Sequence, residues 1–157
     1  EAELAFFIGK SCHNVSVSDA STFISGFTIA NDIGENIPEK RTSQWVSGKM
    51  LDTFTPMGPF LLTADEITDP HNLTTQARLN GEIVQKANTA NMFFNIFEIA
   101  SYLSTLTTLQ PGYVILTGSP KLINGQPVQQ KPLQPNDQLD ITISQLGTLT
   151  NTVRQGE

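Results

Sequence analysis

The chain opens with Glu1-Ala2-Glu3-Leu4-Ala5-Phe6-Phe7-Ile8-Gly9, a run whose apolar part predicts a largely buried β-strand. Alternate residues of a strand project to one face, so Glu1 and Glu3 point the same way. Two carboxylates that close repel each other, and a cation bound between them would resolve the conflict. An exposed edge strand with two solvated glutamates is the other interpretation of the same spacing.

A third carboxylate ends the second strongly apolar run of the chain. Asp32 follows residues 27–31, where a charged group is costly unless it is paired or binds a metal. It could equally end a strand and cap a turn toward Gly34. If all three carboxylates meet, they offer only oxygen ligands, which select a hard cation such as Mg²⁺, Mn²⁺ or Ca²⁺ over Zn²⁺.

The rest of the chain is rich in short strand patterns. Further strands are predicted at residues 27–33, 60–63, 75–79, 82–85, 113–116, 139–143 and 148–153. The turn Asn80-Gly81 predicts that two of them form a hairpin. Because no regular alternation of strand and helix is present, the predicted class is α+β, mostly β, in a single domain over residues 1–157.

Two helices interrupt the strands. The clearer one covers residues 96–105, with Asn95 as its N-cap and Glu98 completing a capping box. A shorter helix is predicted over residues 19–25. Ser18 would cap it and Gly26 would end it.

Two polar stretches, residues 35–44 and 125–137, predict exposed loops by their composition.

Composition narrows the class of function. The net charge is −6 and the pI about 4.8, which argues against binding the phosphate backbone of nucleic acid. Charged residues make up only 15%, against roughly 25% in an average globular protein, so part of the surface is expected to be covered by a partner subunit or by further chain.

The lone cysteine and the lack of targeting signals bear on the compartment. Cys12 is the single cysteine, which excludes an internal disulfide and a thiolate cluster. A reduced, cytoplasmic setting fits this best, and a secreted protein without disulfides is the other interpretation. No apolar run approaches the roughly 20 residues that a membrane helix needs. The acidic residues 1–3 do not resemble the basic start of a signal peptide.

Several ordered motifs resemble the C-terminal catalytic domain of the fumarylacetoacetate hydrolase family. They are Glu1-Ala2-Glu3-Leu4-Ala5-Phe6-Phe7-Ile8-Gly9, Gly26-Phe27-Thr28-Ile29-Ala30-Asn31-Asp32, Gly48-Lys49-Met50-Leu51-Asp52-Thr53-Phe54-Thr55-Pro56-Met57-Gly58-Pro59, Asp69-Pro70-His71-Asn72-Leu73, Asn80-Gly81-Glu82, Met92-Phe93-Phe94, Leu109-Gln110-Pro111-Gly112-Tyr113-Val114-Ile115-Leu116-Thr117-Gly118-Ser119-Pro120 and Leu146-Gly147-Thr148-Leu149-Thr150-Asn151. The resemblance spans nearly the whole chain. It implies a mixed β-roll or sandwich with a few short helices, and a homodimer.

The resemblance also implies a metal site. It makes Glu1, Glu3 and Asp32 the ligands of Mg²⁺ or Mn²⁺. It makes Lys49 a catalytic cation beside the metal, facing the carboxylate or the developing enolate of a substrate. Without the resemblance, Lys49 would be interpreted as a solvated loop lysine.

Three further positions correspond to residues near the substrate in that family: Thr53, Thr117 and Gly118. Their hydroxyls and amides could bind carboxylate oxygens of a small 2-oxo acid. Either threonine could instead satisfy a turn.

The implied function is a metal-dependent enzyme acting on small 2-oxo or 2-hydroxy-diene carboxylic acids. The reaction would be C–C bond hydrolysis, decarboxylation or isomerisation through a metal-stabilised enolate. The family's catalytic pair from a lid before the Glu-x-Glu strand has no counterpart in residues 1–157, and neither His13 nor His71 is placed to replace it. A non-catalytic domain that binds metal and 2-oxo acids, or that serves as an oligomer scaffold, is therefore the alternative.

Overall fold

Two four-stranded antiparallel sheets form the framework of the computed structural model, which describes residues 1–35, 44–123, 126–128 and 131–155. The strands in chain order are β1 (Ala2–Ile8), β2 (Ile24–Asn31), β3 (Met57–Thr63), β4 (Thr74–Leu79), β5 (Glu82–Asn88), β6 (Val114–Leu116), β7 (Leu122–Ile123), β8 (Gln126–Pro127), β9 (Gln138–Ile143) and β10 (Gly147–Thr152). The first sheet has the order β3-β2-β1-β6 and the second β10-β9-β4-β5, while β7 and β8 pair with each other.

The core lies between the two sheets. Alternate residues of β1 (Leu4, Phe6 and Ile8) are buried in the same cluster as Ile141 and Ile143 of β9. Burying an aliphatic or aromatic side chain of this size contributes about 1.5–3 kcal/mol, so this layer is the main source of stability. The predicted class, α+β and mostly β in a sandwich with few short helices, is confirmed.

Pairing of the two central strands brings the predicted site together. β1 and β2 are antiparallel, with Ala2 opposite Asn31 and Glu3 opposite Ala30. The register therefore places the start of β1 beside the end of β2. Beyond the last pair, the Asp32 N–H donates to the Glu1 carbonyl oxygen at 2.9 Å.

One α-helix, α1 (Ile96–Leu106), is present among the described residues. The Asn95 side chain accepts from the N–H groups of Phe97 and Glu98, and the Glu98 side chain accepts from the N–H of Asn95. This capping box is the predicted one, and the predicted helix over residues 96–105 is confirmed.

The predicted helix over residues 19–25 is wrong in type and extent. A single 3₁₀ turn, Ala20–Phe23, stands there, and its N-cap position is Asp19, with no side-chain cap from Ser18. Ile24 and the following residues already belong to β2, so Gly26 lies inside a strand instead of ending a helix. The Gly26 position is crowded, since an added Cβ would lie 2.5 Å from the Leu62 carbonyl oxygen across the sheet.

Other predicted strand limits differ by a few residues. The second strand begins at Ile24 instead of residue 27, and the third at Met57 instead of residue 60. The hairpin around Asn80-Gly81 is confirmed, with β5 extending to Asn88.

The two predicted loops fall partly outside the described residues. Residues 36–43 and 124–125 and 129–130 are not described. Within the rest of the second stretch, Gln126–Pro127 forms β8, so that part is a short strand and not a loop. Among the described helices, none has the length and apolar character needed to cross a membrane.

Candidate metal centre

Three carboxylates converge at the open end of the first sheet. Glu1 and Glu3 project from the start of β1 on the same face, and Asp32 follows the end of β2. One carboxylate oxygen from each lies within 4.8 Å of the others. Glu1 and Glu3 share a direction because of the strand period, and the β1–β2 register places Asp32 beside them, so all three predicted ligands lie in one cluster.

Glu3 is the buried member of the cluster, with 5% of its surface exposed. Its Oε2 accepts a hydrogen bond from the Gly118 N–H at 2.8 Å. Burial, together with the nearby charges of Asp32 and Glu1, raises the pKa of the Glu3 carboxyl despite that hydrogen bond. In the part of the chain that is described, this carboxylate has one N–H donor and two negative neighbours, so a cation would stabilise it.

Lys49 bridges the other two carboxylates. Its Nζ lies 2.6 Å from Glu1 Oε2 and 3.1 Å from Asp32 Oδ2, and it also donates to the Asp32 carbonyl oxygen at 2.6 Å. Burial alone would lower the pKa of Lys49, but the hydrogen bonds to Glu1 and Asp32 raise it above its ordinary value. The lysine is therefore a permanent positive charge at the edge of the cluster.

A second ammonium group lies near Glu1, at a longer distance than that of Lys49. Lys121 Nζ lies 3.4 Å from Glu1 Oε1 and is 74% exposed. Partial burial acts to raise the pKa of the Glu1 carboxyl, but Lys49 and then Lys121 hold it below its ordinary value. Glu1 is accordingly ionised at neutral pH.

The donor set fits a hard divalent ion. Three carboxylates that approach within 4.8 Å offer negative oxygen ligands from three different residues. Mg²⁺ and Mn²⁺ prefer such ligands. Three carboxylates face the ammonium of Lys49, and burial is the largest cause that raises the pKa of Glu3, so the ionised form of Glu3 is costly without a further cation. The residues present can therefore hold the ion that the sequence predicts.

The residues predicted to contact substrate lie in different settings. The Thr117 N–H and hydroxyl both donate to the Leu4 carbonyl oxygen, at 3.1 and 2.8 Å, and Gly118 donates to Glu3. Both therefore border the cluster. Thr53 is exposed in the turn closed by the Phe54 N–H and the Leu51 carbonyl, and makes no hydrogen bond to the three carboxylates in the part of the chain that is described.

Two residues near the cluster were not predicted from the sequence. Lys121 follows directly after the motif of residues 117–120, and its position could have been suggested by that proximity. Gln85 accepts from the Ala2 N–H at 2.9 Å and lies on β5 of the second sheet. Its sequence neighbourhood carries no signal for this contact, because 83 residues separate the partners.

The cysteine and the histidines take no part in the cluster. Cys12 is buried, and burial raises the pKa of its thiol, which disfavours the reactive thiolate. His13 is exposed. The His71 ring packs edge-on against the Phe97 ring, with 4.6 Å between the ring centroids. None of the three forms a hydrogen bond or ion pair with the carboxylates within the described ranges.

Comparison with known proteins gives the family. The profile of the fumarylacetoacetate (FAA) hydrolase C-terminal domain matches residues 1–154. The mitochondrial oxaloacetate tautomerase FAHD2B of Homo sapiens is 40% identical over 98% of this chain, which covers 49% of that protein. The chain thus spans about half the length of the curated relatives it matches.

Solved structures agree with the sequence comparison. The 2-hydroxyhepta-2,4-diene-1,7-dioate isomerase from Mycobacterium marinum is 39% identical, with a TM-score of 0.87, over 100% of this chain and 59% of its own. Maleylpyruvate hydrolase from Sphingobium sp. SYK-6, in complex with manganese(II) ion and pyruvate, is 33% identical, with a TM-score of 0.85, over 100% of this chain and 54% of its own. The resemblance predicted from the motifs is confirmed, and this chain belongs to the fumarylacetoacetate hydrolase family.

Proposed function

We propose that this chain is the metal-binding catalytic domain of an enzyme that acts on small 2-oxo or 2-hydroxy-diene carboxylic acids with Mg²⁺ or Mn²⁺. The observation that carries the proposal is the approach of Glu1, Glu3 and Asp32 within 4.8 Å, with Lys49 beside them. The manganese ion and pyruvate in the related maleylpyruvate hydrolase support both the ion class and the substrate class.

The assigned ligands are the three carboxylates. When bound, a divalent ion supplies positive charge that polarises a 2-oxo group and makes loss of a proton from the adjacent carbon easier. Glu3 is held by the Gly118 N–H at 2.8 Å, so its carboxylate is oriented before any ion arrives.

Lys49 provides a second positive charge at the same place. Its ammonium lies 2.6 Å from Glu1 Oε2, and it stays protonated because both neighbouring carboxylates favour the charged form. A charged donor fixed here can bind the carboxylate of a substrate or stabilise an enolate oxygen, since it needs no reorganisation when negative charge develops.

Isomerisation by proton relocation is the reaction that we propose first. The relatives with 40% and 39% identity are named as a tautomerase and a diene-dioate isomerase. Enol and keto forms differ in the position of a proton and share one enolate, whose negative oxygen Lys49 is placed to stabilise. C–C bond hydrolysis, as in the related maleylpyruvate hydrolase, and decarboxylation are the other outcomes of the same test.

The test is metal-dependent turnover by the full product of the gene. Enol oxaloacetate, an acylpyruvate and a 2-hydroxy-diene-dioate are followed by ultraviolet absorbance with Mg²⁺, with Mn²⁺ and with chelator. Asp32→Asn keeps the size of the side chain and removes one ligand charge. We expect at least a 100-fold loss of turnover, because catalysis of this type depends on positioned charge.

Asp140→Asn is the matched control. Asp140 is a carboxylate on β9 of the second sheet, hydrogen bonded to Thr150 and Gln138 and not to the cluster. Its substitution should leave turnover within about two-fold. If metal binds and no substrate turns over, the non-catalytic binding domain is the better description. If no metal binds, the assignment of the three carboxylates is wrong.

Three other expectations from the sequence stay predictions. They are a single domain over residues 1–157, a homodimer and a cytoplasmic location. Half-exposed apolar side chains on the edge strand β3, at Met57, Phe60 and Leu61, support an interface there. Each is about 46–48% exposed in the isolated chain, an arrangement that a second subunit would cover.

A further inference from the structure

Among the described strands, only β6 pairs with β1 on the side away from β2, and its pairing does not reach the start of β1. β6 pairs with β1 only opposite residues 5–7. Just beyond, the Leu4 carbonyl still accepts from the Thr117 N–H at 3.1 Å. Residues two apart direct their backbone groups to the same side of a strand, so the Ala2 N–H faces the same neighbour. The chain has already turned away at Gly118, where φ is +90°, and leaves the Ala2 N–H without a backbone acceptor from β6.

A side chain from the second sheet supplies an acceptor for the Ala2 N–H. Gln85 of β5 accepts from the Ala2 N–H through Oε1 at 2.9 Å. Its Nε2 donates to the Pro120 carbonyl at 3.2 Å, and the residue is only 8% exposed. One amide therefore joins the strand that carries the two glutamates to the segment that follows β6.

Both partners of Gln85 adjoin the carboxylate cluster. Ala2 lies between Glu1 and Glu3 in the chain. Pro120 lies between Gly118, whose N–H donates to Glu3, and Lys121, whose ammonium lies 3.4 Å from Glu1. The separation between the start of β1 and residues 118–121 determines whether the Gly118 N–H reaches Glu3 and whether the Lys121 ammonium reaches Glu1.

We propose that Gln85 is a positioning residue for the metal centre. It acts through Ala2 and Pro120 by holding Glu1 and Glu3 at the separation from Gly118 and Lys121 that the cluster needs. The inference rests on the proposed function, since it assigns a role toward the ion that the three carboxylates would hold. Outer contacts of this kind change metal affinity because they restrict the motion of the ligands.

The physical basis is the cost of unpaired groups. Without the Gln85 amide, the buried Ala2 N–H and the partly buried Pro120 carbonyl lose their partner. Buried backbone groups left unpaired are costly, so the strand end would move to reach water or another acceptor. Glu1 and Glu3 flank Ala2 and would move with it.

The experiment compares two variants that each lose two hydrogen bonds. Gln85→Met keeps the length of the side chain and removes both bonds. Thr89→Val is the matched control, because Thr89 directly follows β5 and is also 8% exposed. Its hydroxyl accepts from the Leu73 N–H and donates to the Pro70 carbonyl. Mn²⁺ affinity is measured by calorimetric titration of the full gene product, and thermal unfolding is measured in chelator.

We expect Gln85→Met to weaken Mn²⁺ binding by about 10-fold or more, while Thr89→Val binds as the wild type does. Both should unfold at comparable, lowered temperatures in chelator. At saturating Mn²⁺, Gln85→Met should also raise KM for the 2-oxo acid more than it lowers kcat. If Gln85→Met does not fold, Gln85→Asn takes its place, since its amide is one methylene too short to reach both partners.

Equal Mn²⁺ affinity in the wild type, the Gln85 variant and the Thr89 variant would overturn the inference and leave the proposed function intact. An equal loss of affinity in both variants would also overturn it, because the effect would then follow stability alone. Wild-type protein that binds no Mn²⁺ would refute the proposed function, and the positioning role with it. Binding without turnover would remove only the catalytic part of the proposed function.

Discussion

Glu3→Gln should stabilise the metal-free protein and abolish its response to metal. Glu3 is 5% exposed and lies with its charge near those of Glu1 and Asp32. The substitution keeps the shape of the side chain and an oxygen that can accept from Gly118. It removes one negative charge from a place where three are held together.

The magnitude follows from the distances. The carboxylate oxygens lie within 4.8 Å of one another, and at that upper limit two unit charges repel by about 3.5 kcal/mol at an effective dielectric constant of 20. Lys49, at 2.6 and 3.1 Å from the other two carboxylates, offsets most of this repulsion. Replacing a charged acceptor by a neutral one at Gly118 costs about 1 kcal/mol. The free energy of unfolding should therefore rise by about 1–2 kcal/mol in chelator, or Tm by about 3–6 °C.

The effect depends on pH with a definite sign. The folded-state pKa of Glu3 lies above its ordinary value of 4.5, with burial as the largest cause. Between these two values the folded wild type keeps a proton that the unfolded chain has released, so its stability falls as pH rises through that window. The advantage of Glu3→Gln should be absent below pH 4.5 and complete above the raised pKa.

The assay is urea unfolding in chelator and in saturating Mn²⁺, at acid and neutral pH. With Mn²⁺ at 100 times Kd, the wild type should gain about 2.7 kcal/mol and become the more stable protein. Glu98→Gln serves as control, since it removes a carboxylate from the capping box of α1 and should only destabilise. A Glu3→Gln variant that is less stable than wild type in chelator at neutral pH would refute the view that the cluster carries uncompensated charge.

Two further substitutions separate the roles at the centre. Lys49→Met should lower turnover by about 100-fold, because the ammonium contributes positive charge to the reaction. Mn²⁺ binding should be kept or tightened, because the ammonium competes with the ion for Glu1 and Asp32. Parallel losses of turnover and Mn²⁺ affinity would contradict this division of roles. Gly118→Ala should cost about 1 kcal/mol of stability and weaken Mn²⁺ binding, because φ of +90° disfavours a Cβ although the space is open. Retained stability and affinity, measured by urea unfolding and calorimetry, would show that the backbone there adapts without moving the N–H from Glu3.

Patterns within a few residues were enough for much of the fold. The capping box at Asn95 and Glu98 and the Asn80-Gly81 hairpin are local, so the helix and the hairpin could be predicted directly. The common direction of Glu1 and Glu3 also follows from the period of a strand. The helix predicted over residues 19–25 failed because the chain joins β2 from Ile24, and sheet pairing outweighs a weak local preference.

Distant contacts decided the rest. The β1–β2 register brings Asp32 to the two glutamates. Lys49 lies 48 residues after Glu1 in the chain, and the path of its loop brings it to both Glu1 and Asp32. Gln85 comes from the other sheet to pair with Ala2. The sequence by itself determined which residue types and strand faces are available. Only the tertiary structure decided which groups share a site, because contacts between sheets depend on packing that no local pattern records.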